Sequence, residues 1–319
     1  MTERRAPELA PSVLNQRAKT APRLVRLALF TTLGVGGEAE LWVCHDHAAL
    51  LTATSAPYRM LGGGSNLIVS DDGVPERVIR LGGIFSASDL ELDAELSGGD
   101  EIITGWVGAA TPIPGLLRRL QQRGFSGLEG VWGVPAQVGG AVRMNAGTRF
   151  GEMADALHSI EVVTDGVATV YTPQQLGFVY RNSSIPRGDN GVGIVTRVRL
   201  RLRRSTPEAV QGRMNLADEA RKGQPHQRTF GCAWKNPADD SAGRMVDRAG
   251  LKGLKIGGAM ISNEHGNFLV NTGAAQASDV IAVLERVERE LGVPLEREVE
   301  IWGNILASAN ETAVRGGDA

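Results

Sequence analysis

The sequence predicts an α+β protein, and three observations lead there. Apolar runs of strand length bounded by turns occur at residues 40–44, 58–61, 66–70 and 77–81. Residues 114–123 and 279–291 instead repeat their apolar positions with helical spacing. Two glycine-rich stretches, Leu-Gly-Gly-Gly-Ser-Asn at 61–66 and a longer one at 133–147, punctuate these elements.

The elements group into three parts. In the first, residues 23–83, an Ala- and Leu-rich helix over 45–54 joins the first two strands, and the glycine loop opens where the strand ending at Leu61 stops. That is a small βαβ-like unit. The second part, residues 84–204, begins with a strand over 102–108 and a helix over 114–123. Leu116, Leu117 and Leu120 share one face of this helix, and Pro114 occupies a first-turn position where no intrahelical bond is lost. Strands follow at 159–164, 168–171 and 193–202. In the last, Ile194, Val198, Leu200 and Leu202 face one way and Arg197, Arg199 and Arg201 the other. The polar, proline-containing break at 203–207 marks a boundary. Beyond it lies the third part, residues 205–303, with helices over 208–221 and 279–291 and a strand over 267–271. Val280, Val283, Leu284, Val287 and Leu291 form the apolar stripe of the second helix. Residues 1–22 carry Arg4, Arg5, Arg17 and Lys19 without a continuous apolar stretch and read as a flexible extension, and 304–319 as a tail.

Composition excludes several classes. The chain has 319 residues, 42% hydrophobic and 22% charged, with a net charge of −2. Nucleic acid as the main partner would call for a clear basic excess. No apolar run approaches the roughly 18 residues that a membrane span needs. Cys44 and Cys232 are too few for a disulfide framework, which points to a reducing, cytoplasmic setting. His45, His47, His158, His226 and His265 lack metal-ligand spacing, so no metal is expected.

Closely spaced glycines let main-chain amides turn inward around an anion with no Cβ in the way. Two such stretches point to a bound dinucleotide whose diphosphate takes main-chain donors from both. Three further segments carry reactive groups. Residues 178–183 set Arg181 beside Tyr180, residues 231–237 bring Cys232, Lys235 and Asn236 together, and residues 295–301 alternate so that Glu296, Glu298 and Glu300 share one strand face. By residue type alone, each is equally a surface arginine, a small buried thiol, a turn before Pro237 or a solvent-facing edge.

Taken in order, the segments Thr-Thr-Leu-Gly-Val-Gly-Gly (31–37), the two glycine stretches, Tyr-Arg-Asn-Ser (180–183), 231–237, Gly-Leu-Lys-Gly (250–253) and 295–303 closely resemble the UDP-N-acetylenolpyruvoylglucosamine reductase family. The resemblance implies a two-part FAD-binding region of the vanillyl-alcohol oxidase type, 23–83 and 84–204, and a C-terminal α+β substrate domain, 205–303. FAD would be bound non-covalently, with Gly62, Gly63, Gly64, Ser65, Asn66, Pro135, Gly139, Gly140, Ala141, Asn145, Ala146 and Gly147 at the cofactor. NADPH would supply hydride, and C3 of a UDP-sugar enolpyruvyl ether would receive it, leaving negative charge at C2 and on the adjoining carboxylate. Arg181 matches the family's catalytic arginine, suited to hold that charge. Glu298 matches its catalytic glutamate, whose carboxyl burial beside an anion would raise. Tyr180, Lys235 and Asn236 would meet the substrate.

One position departs from the pattern. Where the family usually has serine as the proton donor to C2, this chain has Cys232. A thiol, with an ordinary pKa of about 8.5, releases its proton more readily than an alcohol. The third part has no long insertion, as in the shorter subtype, and a monomer is expected. Two alternatives stay open at this point: a related FAD oxidase, and a flavin-binding paralogue without turnover.

Overall fold

The computed structural model describes residues 21–306, and the chain divides into two compact units. The expected extension over 1–22 and tail over 304–319 fall almost wholly outside the described residues.

The first unit comprises residues 40–62 and 76–220, with the short segment before Leu24. Strands Glu38–Cys44, Arg77–Leu81 and Tyr58–Met60 run parallel, with Leu41 opposite Val78 and Tyr58 opposite Arg77. Helix α1, His47–Ala53, makes the crossover between the outer two. It starts there because Asp46, in extended conformation, accepts from the Ala49 amide, closing one of the donors a helix start leaves open. The rest is an antiparallel sheet built on the long strand Ile194–Arg204. Leu157–Thr164 and, further along, Phe125–Ser126 pair with one of its edges, and Glu101–Ile103 and Val107–Gly108 pair with the other. The alternation read from this strand is observed, since Val198, Leu200 and Leu202 are buried while Arg199 and Arg201 reach outward to Asp93 and Glu101. The strand expected at 102–108 is broken in two at residues 104–106.

Helices α2, Ile113–Gln122, and α3, Val138–Arg143, close the core of this unit. Helix α4, Pro207–Ala220, also belongs to it. Arg213 bonds Glu129 at 2.8 Å, and Trp132 Nε1 donates to Asp218 at 2.9 Å. The compact division falls after Ala220, and Pro207 opens α4 at the polar break.

The second unit gathers residues 24–39, 63–75 and 221–306 of the described chain. Strands Arg228–Cys232, Phe268–Asn271, Ala259–Ile261 and Lys255–Ile256 form its antiparallel sheet in that order. Helices α5, Ala242–Arg248, and α6, Ala277–Leu291, pack on the same core. The stripe of α6 is buried at Val280, Val283, Leu284 and Val287. Asp71 accepts from the Ala277 amide at the start of α6, and Gly292, with φ +62°, ends the helix in the left-handed region. Strand Leu67–Val69 pairs in parallel with Glu300–Trp302. No helix among the described residues is long and apolar enough to cross a membrane.

Candidate active site

The two glycine stretches meet within the first unit at Gly62 and Gly140. A Cβ placed on Gly62 would have the Gly140 Cα and the Gln137 side-chain oxygen at 3.9 Å, while one on Gly140 would meet nothing within 4 Å. Bare backbone thus faces open space. That space is a cavity of about 490 Å³ including its mouth, lined by Leu61, Gly62, Gly139, Gly140 and Arg143, with Ile194 and Val195 from the long strand. Its mostly apolar walls are those of small-molecule and cofactor sites, and a side chain at Gly140 would project into it. The residues present therefore fit a flavin nucleotide.

Several main-chain donors of the second stretch are used within the fold. In the second stretch Gly139 N–H donates to Ala109 O, Ala141 N–H to Gln137 O, Asn145 N–H to Val142 O and Ala146 N–H to Ala141 O. Those amides are committed to the fold, so Gly139 serves close approach. In the first stretch, no partner for the N–H groups of Gly62, Gly63, Gly64, Ser65 or Asn66 lies among the described residues. Gly63 to Asn66 belong to the second unit. There Thr32 N–H donates to Gly64 O at 3.0 Å, and Gly64 has φ +63°. Any Cβ on it would lie 2.0 Å from Phe30 O, so the backbone at Phe30 and Thr31 is the buttress that demands this glycine.

Asn145 is tied into the fold. Its side chain is fully buried, with Nδ2 donating to Val179 O at 3.1 Å and Oδ1 accepting from Ala154 N–H at 3.0 Å. Both ends of the amide are thus engaged within the fold. Ala146 is buried as well, Pro135 is exposed and Gly147 half-buried.

Arg181 lies in a four-residue turn in which Val179 and Asn182 exchange main-chain hydrogen bonds at 3.1 Å. Its φ is +57°, which costs a non-glycine residue roughly 1–2 kcal/mol. Arg181 stacks over Tyr180 at 4.8 Å and donates to Gly147 O at 2.8 Å. Such strain persists where the surroundings over-determine it. Tyr180 itself is exposed.

Cys232, Lys235 and Glu298 come together in the second unit. Residues 233–235 run antiparallel to 296–298: Glu298 N–H donates to Ala233 O and Lys235 N–H to Glu296 O, both at 2.8 Å, with Trp234 bridged to Arg297. The expected strand 295–301 is therefore split, because only Glu300–Trp302 turns to pair with Leu67–Val69. Cys232 and Glu298 are half-buried, and Asn66 Nδ2 donates to Glu298 O at 3.0 Å. Lys235 pairs with the exposed Glu296 at 2.6 Å. Asn236 accepts from the Ala242 amide, helping to start α5. Arg181 is carried by the first unit and this cluster by the second.

Sequence reasoning missed two residues. Arg143 is the cation lining the cavity, and its position at the end of a glycine-rich helix was the available signal. Glu288 of α6 accepts from Trp234 Nε1 at 2.9 Å and from Arg297 twice at 2.7 Å. Burial opposes its ionisation, yet the Arg297 guanidinium and the Trp234 N–H outweigh that and hold its carboxyl below the usual range. It fastens the neighbours of both Cys232 and Glu298.

Residues 46–172 match the FAD binding domain family, and the chain is an FAD-dependent oxidoreductase. Residues 224–302 match the family described as UDP-N-acetylenolpyruvoylglucosamine reductase, C-terminal domain. The chain is 60% identical to the UDP-N-acetylenolpyruvoylglucosamine reductase of Deinococcus radiodurans over 87% of its length and 94% of the relative's. It is 56% identical to the Thermus thermophilus reductase over 87% and 98%. The crystal structure of the Thermus caldophilus reductase superposes with a TM-score of 0.82 at 54% identity, covering 89% of this chain and all of that one. The chain belongs to the UDP-N-acetylenolpyruvoylglucosamine reductase family.

Proposed function

We propose that the protein reduces the enolpyruvyl ether of UDP-N-acetylglucosamine to UDP-N-acetylmuramate, a step of peptidoglycan synthesis, with FAD as cofactor and NADPH as hydride source. The observation that carries this is the bare-backbone cavity between Gly62 and Gly140, in a chain that matches reductases of this name over nearly their whole length. FAD, when bound, would supply two-electron chemistry between NADPH and C3 of the substrate.

The chain's own residues have the following parts in this proposal. Gly62 and Gly140 let the nucleotide approach the backbone in the cavity that Arg143 also lines, and the amides of 62–66 are donors for its diphosphate. The Arg181 guanidinium pairs with the substrate carboxylate, where charge gathers as C3 is reduced. The Cys232 thiol donates the proton that C2 needs, and Glu298 acts beside the carboxylate. Tyr180, Lys235 and Asn236 meet the nucleotide sugar. The strained turn supports Arg181, since such backbone gathers at working sites. Residues 23–83 and 84–204 serve as flavin-binding parts and 205–303 as the substrate part, in a cytoplasmic monomer.

The test is optical. Purified protein should be yellow, bleach with NADPH and recolour stoichiometrically with the enolpyruvyl substrate. Bleaching without recolouring would support a paralogue without turnover, and recolouring by oxygen alone would support an oxidase.

A further inference from the structure

The turn that bears Arg181 is knitted to the loop that follows α3 by three side-chain bonds to main chain. Asn145 Nδ2 donates to Val179 O at 3.1 Å, Ser183 Oγ to Arg143 O at 2.6 Å and Arg181 Nη2 to Gly147 O at 2.8 Å. Residues 143–147 thus grip residues 179–183 at both ends and in the middle. The same loop begins at Arg143, which lines the cofactor cavity. A displacement of the turn relative to 143–147 is therefore a displacement of the Arg181 guanidinium relative to that cavity.

Asn145 is the anchor of this arrangement. It has no exposed surface, holds φ +45°, and ties Val179 O on one side to Ala154 N–H on the other. Asparagine suits the place because it tolerates the left-handed region better than other side chains and offers a donor and an acceptor at opposite ends of one amide. The carbonyl it holds belongs to the first residue of the turn, two positions before Arg181.

We infer that Asn145 is a positioning residue for the reduction: it fixes the register of the 179–182 turn and so sets the Arg181 guanidinium against the substrate carboxylate. This rests on the role proposed for Arg181. With no exposed surface, Asn145 acts in this inference through Arg181 and not by contact with the reactants.

Three variants test it. Asn145→Gly keeps the backbone permissive and removes both bonds, Asn145→Asp keeps the acceptor for Ala154 and loses the donor, and Ser183→Ala loosens the turn from its other end. Hydrogen exchange on the holoenzyme should rise at the Val179 and Asn182 amides. Substrate-driven reoxidation of the flavin should slow on the order of 10- to 100-fold more than its reduction by NADPH does, the scale of a misplacement of about 1 Å. In an Arg181→Ala background the same substitutions should add nothing further. If Asn145→Gly leaves reoxidation within about twofold of wild type while Arg181→Ala slows it, the inference fails and the Arg181 role stands. Effects of Asn145→Gly and Arg181→Ala that multiply also overturn it. Should Arg181→Ala leave reoxidation unchanged, the proposed role of Arg181 falls first and takes this inference with it. If both Asn145 variants fail to fold, Ser183→Ala carries the same expectation and the same refutation.

Discussion

Replacing Glu288 by alanine should destabilise the second unit in a pH-dependent way. The substitution strands the Nε1–H of Trp234, a side chain with no exposed surface, and removes both carboxylate partners of Arg297. An unsatisfied buried donor costs about 1–3 kcal/mol, and the lost charge-assisted pair, about a quarter exposed on each side, adds roughly 1 kcal/mol, giving about 2–4 kcal/mol at pH 7. The sign of the pH effect follows from the lowered carboxyl of Glu288. Its stabilisation is complete above the unfolded carboxyl value of about 4.3 and is lost as pH falls through the lower folded value, where the unfolded chain binds the extra proton. Urea unfolding of the flavin-free protein, followed by tryptophan fluorescence from pH 7 down to pH 3.5, should therefore show a gap between wild type and Glu288→Ala that narrows in acid. Glu288→Gln, which keeps an acceptor for Trp234, should fall between them. A gap under about 0.5 kcal/mol at pH 7, or one that stays constant into acid, would refute the reasoning.

Gly140→Leu should fill the cavity while improving a helix position, so bound flavin absorbance falls at least about tenfold as the flavin-free protein gains up to about 1 kcal/mol in unfolding free energy. A variant that keeps its colour argues against this cavity as the flavin site. Native protein at pH 8 should give one thiol to an aromatic disulfide reagent and a second only in denaturant, because burial, with the Asp46 carboxylate, pushes the Cys44 thiol up to about 12 while Cys232 is half-buried. Two rapid equivalents would contradict this. Cys232→Ser should retain reoxidation within about tenfold and Cys232→Ala should lose on the order of a hundredfold or more, measured by stopped flow; equal rates for the two would remove Cys232 from proton transfer.

Periodicity in the sequence carried much of the fold. The alternation along Ile194–Arg204 and the stripe of α6 reappear as buried and exposed faces, since a strand or helix with one apolar side has one place to put it. Pairing partners were less legible. Leu67, Ile68 and Val69 are buried throughout, with no alternation to betray a neighbour, and their partner lies near the far end of the chain. In the site, the ordered motifs and not residue type grouped Cys232 with Glu298, and adjoining strand segments bring Ala233 and Glu298 together. The roles of Asn145 and Glu288 could not be read, because an amide in a glycine loop looks like a ligand-binding group and a glutamate beside an apolar stripe looks solvated. Only the position of Val179 O and of the Trp234 indole reveals what they hold.

The parallel pairing of Glu300 with Leu67 makes assembly of the second unit wait on translation. At about 5–20 residues per second, on the order of 10–50 s pass between the appearance of one strand and the other. Throughout that interval the nascent chain carries an apolar edge whose mate does not yet exist, while the intervening segment can already collapse on its own core. Early termination before residue 300 would leave that edge permanently open, an invitation to chaperones and to self-association.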